Sequence, residues 1–302
     1  MDKQEGSRIR LMTYNIGGGR KDLGSKPDTI IDQIGHAAPD ILVVQEATER
    51  QDADGGWDRD VEQIAEAGEF GRHVHWGATL SMREQMHVRK ALFVHGIFND
   101  WQDWRQGNAI LSRWEFVRLG DATKPGVPKN IPLYRPPLYE GTRDTDPRYG
   151  LLARVNKAPV FPFVIGVHLT TLAGERERIG GFRPIPGKTE EAQMLRYKQT
   201  SLLLDLLREH VLDRGEVVFL LGDFNAEASE PAISAALEAE GGFVRLMPTD
   251  GPTITHVKAP QPIDHIFVYP RQRLIEYRCW IVGNPPDWPS DHYPVVADVW
   301  VS

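Results

Sequence analysis

Short apolar runs rich in β-branched and aromatic residues recur along the whole chain, at Arg8–Ile16, Ile41–Gln45, Ala109–Ser112, Leu151–Val155, Phe161–Val167, Val217–Leu221, Ile263–Val268, Tyr277–Val282 and Val295–Val301. Several are unbroken apolar blocks, the pattern of strands covered on both faces. Elsewhere the period changes. Ile30, Ile31, Ile34 and Ala38 share a stripe of Asp28–Ala38, and Leu195, Leu202, Leu203, Leu206 and Leu207 share one of Glu190–His210, which predicts two amphipathic helices. A third is expected after Pro231, where Ile233, Ala236 and Leu237 fall on one face. Strands and helices mixed from end to end predict a layered α/β or α+β fold with helices outside packed sheets. Two irregular regions break the pattern: the proline-rich Asp121–Tyr149, and Thr170–Lys188 with Arg176, Arg178, Arg183 and Lys188. Long loops in compact domains are often functional, and solvated surface connections are the alternative. Thr79–Gly107 fits neither period, and its Met82, Met86, Trp101 and Trp104 are expected to pack an extra helix or hairpin.

At 302 residues the chain is long enough for one or two domains, and 41% hydrophobic with 25% charged residues is the composition of a globular protein. The formal net charge of −7 comes with no lysine–arginine run, which weighs against a partner such as long nucleic acid, whose phosphates are normally met by a basic face. Cys279 is the only cysteine, so multi-cysteine metal sites and internal disulfides are excluded, and it reads as a packed core thiol. Met1–Arg10 holds no apolar run and no later stretch is long enough to span a bilayer, so a cytoplasmic protein is expected.

Polar residues sit at the ends of the apolar runs. Asn15 closes the first and Glu46 the second, His168 closes Phe161–Val167, and Asp223 with Asn225 follows Val217–Leu221; Asp264 opens a strand, and Asp291 and His292 precede the last. Ligands gather at strand ends in layered folds, so these positions can converge in space. Carboxylates and amides without cysteine are a hard-oxygen set suited to magnesium or manganese. Each taken alone has an ordinary explanation as a turn former, cap or salt-bridge partner.

Taken together they resemble the endonuclease/exonuclease/phosphatase superfamily. Its signatures stand in family order as TYNI at Thr13–Ile16, VVQE at Val43–Glu46, GNAILSR at Gly107–Arg113, VHL at Val167–Leu169, LLGDFNA at Leu220–Ala226, PIDHIFV at Pro262–Val268 and SDHYPVVADV at Ser290–Val299. The resemblance implies an α+β fold, a four-layer α/β/β/α sandwich of two packed mixed β-sheets flanked by helices, as a single domain over residues 1–302. It implies Glu46 as the principal ligand of Mg2+ or Mn2+, with Asn15 beside it and Asp291 on the same or a second cation. Asp223 and Asn225 would face the attacking water, and Asp264 would pair with His292. His168 would contact the scissile phosphate or help protonate the leaving group, and Asn108 would lie near the phosphate. The base is left as either Asp223 or the His292–Asp264 pair. Two features depart from the family. No counterpart is found between Gly77 and Gln106 for the carboxylate that supports the histidine matching His168 in deoxyribonuclease-like members, and Pro262 stands near where an arginine often precedes the aspartate. His265 varies among members and reads as a packing residue.

The function expected is metal-dependent hydrolysis of a phosphate ester or phosphodiester, with a small-molecule or lipid head-group substrate favoured. A nuclease of the same fold is the alternative, and a catalytically silent binding module a remote one. Arg176, Arg178 and Arg183 are expected to bind the charged part of a compact substrate, walled in by the two irregular regions.

Overall fold

The computed structural model describes residues 6–17, 27–81, 103–136, 143–176, 181, 183–249, 254–256, 260–283 and 289–302. Two sheets form its centre. The first contains β1 (Ser7–Asn15), β2 (Ile41–Gln51), β3 (Trp57–Arg59), β4 (Val74–Ser81), β5 (Asp103–Ser112), β14 (Leu274–Ile281) and β15 (Val295–Val301), in the order β14-β15-β1-β2-β5-β4 with β3 on β2. The second contains β8 (Lys129–Tyr134), β9 (Arg148–Arg154), β10 (Phe163–His168), β11 (Val218–Asp223), β12 (Val244–Arg245) and β13 (Asp264–Tyr269), in the order β12-β13-β11-β10-β9-β8. The β1/β2 and β10/β11 pairs are parallel and the other neighbours antiparallel. A ribbon of β6 (Val117–Arg118) and β7 (Asp121–Pro125) stands apart.

Side-chain alternation explains the unbroken apolar runs. Ile9, Leu11, Ile41 and Val43 of the first sheet meet Val164, Phe219, Leu221 and Ile266 of the second in a shared core. The intervening residues Met12, Tyr14, Leu42 and Val44 face outward under helices α1 (Pro27–Ala37) and α2 (Asp60–Ala67). On the far side Phe163, Ile165, Val167, Val218 and Leu220 pack under α3 (Lys188–His210) and a π-helix (Ala232–Glu240). Each such buried side chain contributes about 1.5–3 kcal/mol of transfer free energy, and the outcome is the α+β sandwich of four layers. Cys279 lies in the shared core, its thiol pushed up to about 12 by burial.

The structure differs from the sequence reading in three places. Asp121–Tyr149 is not one irregular loop, since it contains β7 and β8; Pro132 is accommodated within β8 because that strand lies at the sheet edge. The buried face of α3 runs through Ala192, Arg196, Gln199, Thr200, Leu203, Leu204 and Leu207, whereas Leu202 is 42% exposed. Trp104 belongs to β5, a strand much longer than its apolar run, while Met82, Met86 and Trp101 lie outside the described residues.

Gly222 shows why β11 carries a glycine before Asp223: a Cβ there would stand 2.0 Å from the Val167 carbonyl oxygen of β10. In β13, His265 is buried against Phe224 and Phe267, with Nε2 at 2.8 Å from the Ala226 carbonyl, to which it donates. Burial outweighs that bond and holds the imidazole down at about 4 against the ordinary 6.5. The fold therefore refuses a proton that the unfolded chain accepts, so this stability is complete above pH 6.5 and drains away as pH falls toward 4. His265→Gln keeps a donor but removes the titration. Its urea-unfolding free energy should gain on the wild type by about 3 kcal/mol between pH 7 and pH 4; parallel pH profiles would refute the assignment.

Candidate active site

Strand register brings the expected residues to one end of the sandwich. His168, Asp223 and Asp264 lie abreast across β10, β11 and β13, and Asn15 pairs with Gln45 at the corresponding end of β1 and β2. The two sheet ends meet where Asn15 Nδ2 donates to Asp223 Oδ2 at 2.9 Å. Asn15 Nδ2 also lies 3.4 Å from Glu46 Oε1, and Asn15 Oδ1 accepts from the Gly17 amide at 3.0 Å. Glu46 reaches this position through a β-bulge. The β2–β5 register steps from Val44 opposite Ala109 to Ala47 opposite Gly107, so Gln45 and Glu46 together face Asn108. Glu46 has φ of +55°, a left-handed conformation uncommon for a residue with a side chain. Gln45 turns inward to Thr13, and Glu46 turns to the mouth.

Asp223 is 1% exposed and is the hub of the cluster. Its Oδ1 accepts from the Asn225 amide at 2.8 Å, and its Oδ2 lies 3.5 Å from His168 Nε2 and 3.7 Å from His292 Nε2. Burial, reinforced by the charge of Asp264, pushes its carboxyl above the usual range. His292 Nδ1 donates to Asp264 Oδ2 at 2.9 Å. The second oxygen of Asp264 is buried without a partner among the described residues. Burial works against the charged form of His292, but Asp264 and Asp223 outweigh it and hold the ring as imidazolium, up to about 10. His168 goes the opposite way. Burial, helped by Arg148, His292 and Arg143, pushes it well below 6.5, so it is a neutral imidazole.

The loops that leave these strands are braced from behind. Arg176 donates to both Asn225 Oδ1, at 3.2 Å, and the Asn225 carbonyl, and its Nε lies 3.0 Å from Glu175. This fixes the Asn225 amide, whose Nδ2 donates to the Leu169 carbonyl at 3.1 Å. Glu175 in turn takes both oxygens to Arg196 Nη1 at 3.0 Å, and Arg196 Nη2 reaches Glu230 at 2.7 Å. Arg196 is 1% exposed and bridges the loop after β10 to the loop after β11. Further out, Asp144 accepts from the Ala173 amide at 2.7 Å and from Lys188 Nζ at 3.2 Å, which joins the two regions expected to wall the site.

Asn15, Glu46, His168, Asp223, Asn225, Asp264 and His292 thus form one linked group, with Asn108 buried beside Glu46. Asp291 sits at its edge, its carboxylate next to Gly17 and 3.9 Å from His256 Nε2. Arg183 is exposed, and Arg178 lies outside the described residues. Several participants carried no sequence signal. His256 stands edge-on to His292 with ring centres 4.7 Å apart, Thr255 Oγ1 accepts from the Asp264 amide, and Arg196 is a charged residue on the buried stripe of α3. Asp146 and Arg148 line a cleft with Glu46 and His168, and burial pushes the Asp146 carboxyl up to about 6. The donor set suits a hard divalent cation. Glu46 has long contacts at 3.4 Å from Asn15 and Gln106 and lies 4.0 Å from His168 Nε2, and Asp264, whose second oxygen has no partner among the described residues, belongs to the same linked group.

A two-sheet sandwich with oxygen ligands, a carboxylate–imidazolium pair and a buried aspartate at one end defines a metal-dependent phosphoesterase. Residues 12–292 match the family model described as the Endonuclease/Exonuclease/phosphatase family, and the chain belongs to that family. It is an enzyme of that class. Solved structures share its fold, among them the following three. One is the endonuclease/exonuclease/phosphatase from Beutenbergia cavernae, at 19% identity and TM-score 0.65 over 97% of this chain and 72% of that one. Truncated TDP2 from Caenorhabditis elegans has 17% identity and TM-score 0.62 over 99% and 100%. The human Nocturnin catalytic domain, solved with a bound sulfate anion, has 16% identity and TM-score 0.61 over 98% and 95%. No curated protein matches the sequence.

The brace yields a stability prediction. Arg196→Leu leaves Glu230 buried without its cation and Glu175 with Arg176 alone, which should cost about 3–5 kcal/mol. Chemical unfolding measures it, and a loss below about 1 kcal/mol would show that the bridge behaves as a surface pair.

Proposed function

We propose that the chain, as one domain over residues 1–302, hydrolyses a small or lipid-linked phosphoester with Mg2+ or Mn2+ at Glu46, Asn15 and Asp291. The observation that carries the substrate reading is Asp144, which ties Thr170–Lys188 to the end of the proline-rich segment and so favours a walled pocket over an open groove. A duplex needs the groove. Two of the cations that could serve a phosphate track are engaged within the fold: Arg176 is bound to Asn225 and Glu175, and Lys188 pairs with Asp144 and Glu191. Among the described residues no helix is long and apolar enough to cross a membrane, and a cytoplasmic site of action is part of the proposal.

The cation, when bound, neutralises charge developing on the phosphoryl oxygens and on the leaving oxygen. The side chains supply the rest. Asp223, made more basic by its burial, takes a proton from the attacking water, whose oxygen forms the new bond to phosphorus. Asn225 has one amide N–H on the Leu169 carbonyl and a second to give to a phosphoryl oxygen. His292, kept charged by Asp264, donates through Nε2 to the same group, and neutral His168 donates without carrying charge. The ester oxygen departs with its bonding pair and is protonated by solvent.

Two experiments test this. Glu46→Gln should lower turnover of bis(p-nitrophenyl) phosphate by orders of magnitude while melting normally, and duplex DNA at equal phosphate should be cleaved far more slowly than this small diester at every salt concentration. Wild-type turnover in excess chelator refutes the metal, and efficient DNA cleavage that collapses as salt rises establishes the nuclease instead.

Asp264 acts only through His292 in this scheme, so Asp264→Asn combined with His292→Ala should be about as slow as His292→Ala alone. Multiplying losses in kcat would show independent roles.

A further inference from the structure

Glu46, Asn15 and Asp291 offer a cation oxygen alone. Asp291, however, has a different neighbour for each of its two oxygens. A Cβ on Gly17 would stand 3.7 Å from Asp291 Oδ1, and the Gly17 amide donates to Asn15 Oδ1, so this oxygen faces the Asn15 side of the site. Oδ2 faces His256, whose Nε2 lies 3.9 Å away.

His256 is held in place from two directions. Its amide donates to the Gln261 carbonyl at 3.1 Å, and single antiparallel bridges join it to Gln261 and to His292. The preceding residue is fixed as firmly. The Thr255 carbonyl accepts from the Tyr293 amide at 2.7 Å, and its Oγ1 accepts from the amides of Ile263 and Asp264 at 2.9 and 3.0 Å. Backbone pairing thus sets His256 beside the segment that carries Asp291 and His292. Its ring stands edge-on to His292 and is largely buried, which fixes the ring plane and leaves Nε2 as the atom turned to the carboxylate.

The spacing suits an ion shared by the two side chains. At 3.9 Å, Nε2 and Oδ2 are too far apart for a hydrogen bond. An imidazole nitrogen and a carboxylate oxygen each stand roughly 2.0–2.2 Å from a transition metal, so two such donors on one ion are about 3 to 4 Å apart. His256, Asp291 and His292 each place a donor atom within 4.8 Å of the others. His292 turns Nδ1 to Asp264 and Nε2 toward Asp223, which leaves His256 as the nitrogen for a cation at Asp291. Nitrogen changes the preference of such a site: Mg2+ keeps oxygen and water around it, whereas first-row transition metals accept imidazole.

We propose that His256 is a nitrogen ligand of the cation at Asp291, and that the site thereby selects a first-row transition metal, Mn2+, over Mg2+. The inference rests on the phosphoesterase reading and narrows its two candidate cations to one.

The full chain, freed of metal by chelation and loaded with substoichiometric Mn2+, tests it by pulsed electron paramagnetic resonance and by calorimetric titration. The wild type should show spin-echo modulation from a coordinated nitrogen. His256→Phe, which keeps a ring against His292 but no nitrogen, should lose the modulation and bind Mn2+ about tenfold more weakly, with Mg2+ affinity within about twofold of the wild type. His256→Gln should behave alike. A wild type without nitrogen coupling overturns the assignment, as does a normally melting variant that retains the coupling or the Mn2+ affinity. If neither variant folds, coupling kept in His292→Ala supports His256 and coupling lost there overturns it. The two readings fail separately: turnover of bis(p-nitrophenyl) phosphate retained by Glu46→Gln counts against the phosphoesterase, whereas the nitrogen ligand is read without substrate.

Discussion

The bond from Asn15 Nδ2 to Asp223 Oδ2 joins the ends of two sheets whose shared core is apolar, with the pair His75–Asn130 a second polar link, between β4 and β8. Asp223 is too deeply buried to be solvated, and a buried carboxylate persists only where donors surround it. Those donors come from both sheets and from the loop after β11: the Asn15 amide, the Asn225 backbone and two imidazoles within 3.7 Å. Moving either sheet end away would strand the charge. The need to satisfy one carboxylate thus ties the relative placement of the two sheets to the geometry of the site.

The same need sorts the two histidines. Both are buried and both approach Asp223 through Nε2, yet they titrate in opposite directions. The difference lies in their other neighbours. His292 has Asp264 on Nδ1, while His168 looks toward Arg148 and Arg143. One charged and one neutral imidazole around a single carboxylate keep two positive charges from accumulating beside Asp223.

Much of this was legible in the sequence because burial on both faces of a strand writes an unbroken apolar run and ends it abruptly. All nine runs became strands, and Asn15, Glu46, His168, Asp223 and Asp264 stand where those runs end or begin. What was not legible depends on partners remote in the chain. Arg196 looks like a solvent-facing residue of a charged helix until Glu175 and Glu230 are placed against it. Arg148 follows a proline-rich stretch with no period of its own, and His256 reaches His292 through one isolated bridge. The outer half of β2, beyond the bulge, reads as polar sequence because its pairing with β3 and β5 does not require an apolar face.

The bulge in β2 makes the site depend on a count of residues as well as on their identity. Two residues oppose one at Asn108, so deleting either Gln45 or Glu46 would let the ladder with β5 close without interruption. The core on the N-terminal side, from Ile41 to Val44, would be untouched. Ala47 to Gln51 would keep their partners from Gly107 to Asp103, and what would be lost is the local bend at Asn108. The length of this strand at the bulge is therefore a constraint separate from its composition, since an in-frame loss of one codon there would alter the placement of Glu46 while the core residues on either side kept their register.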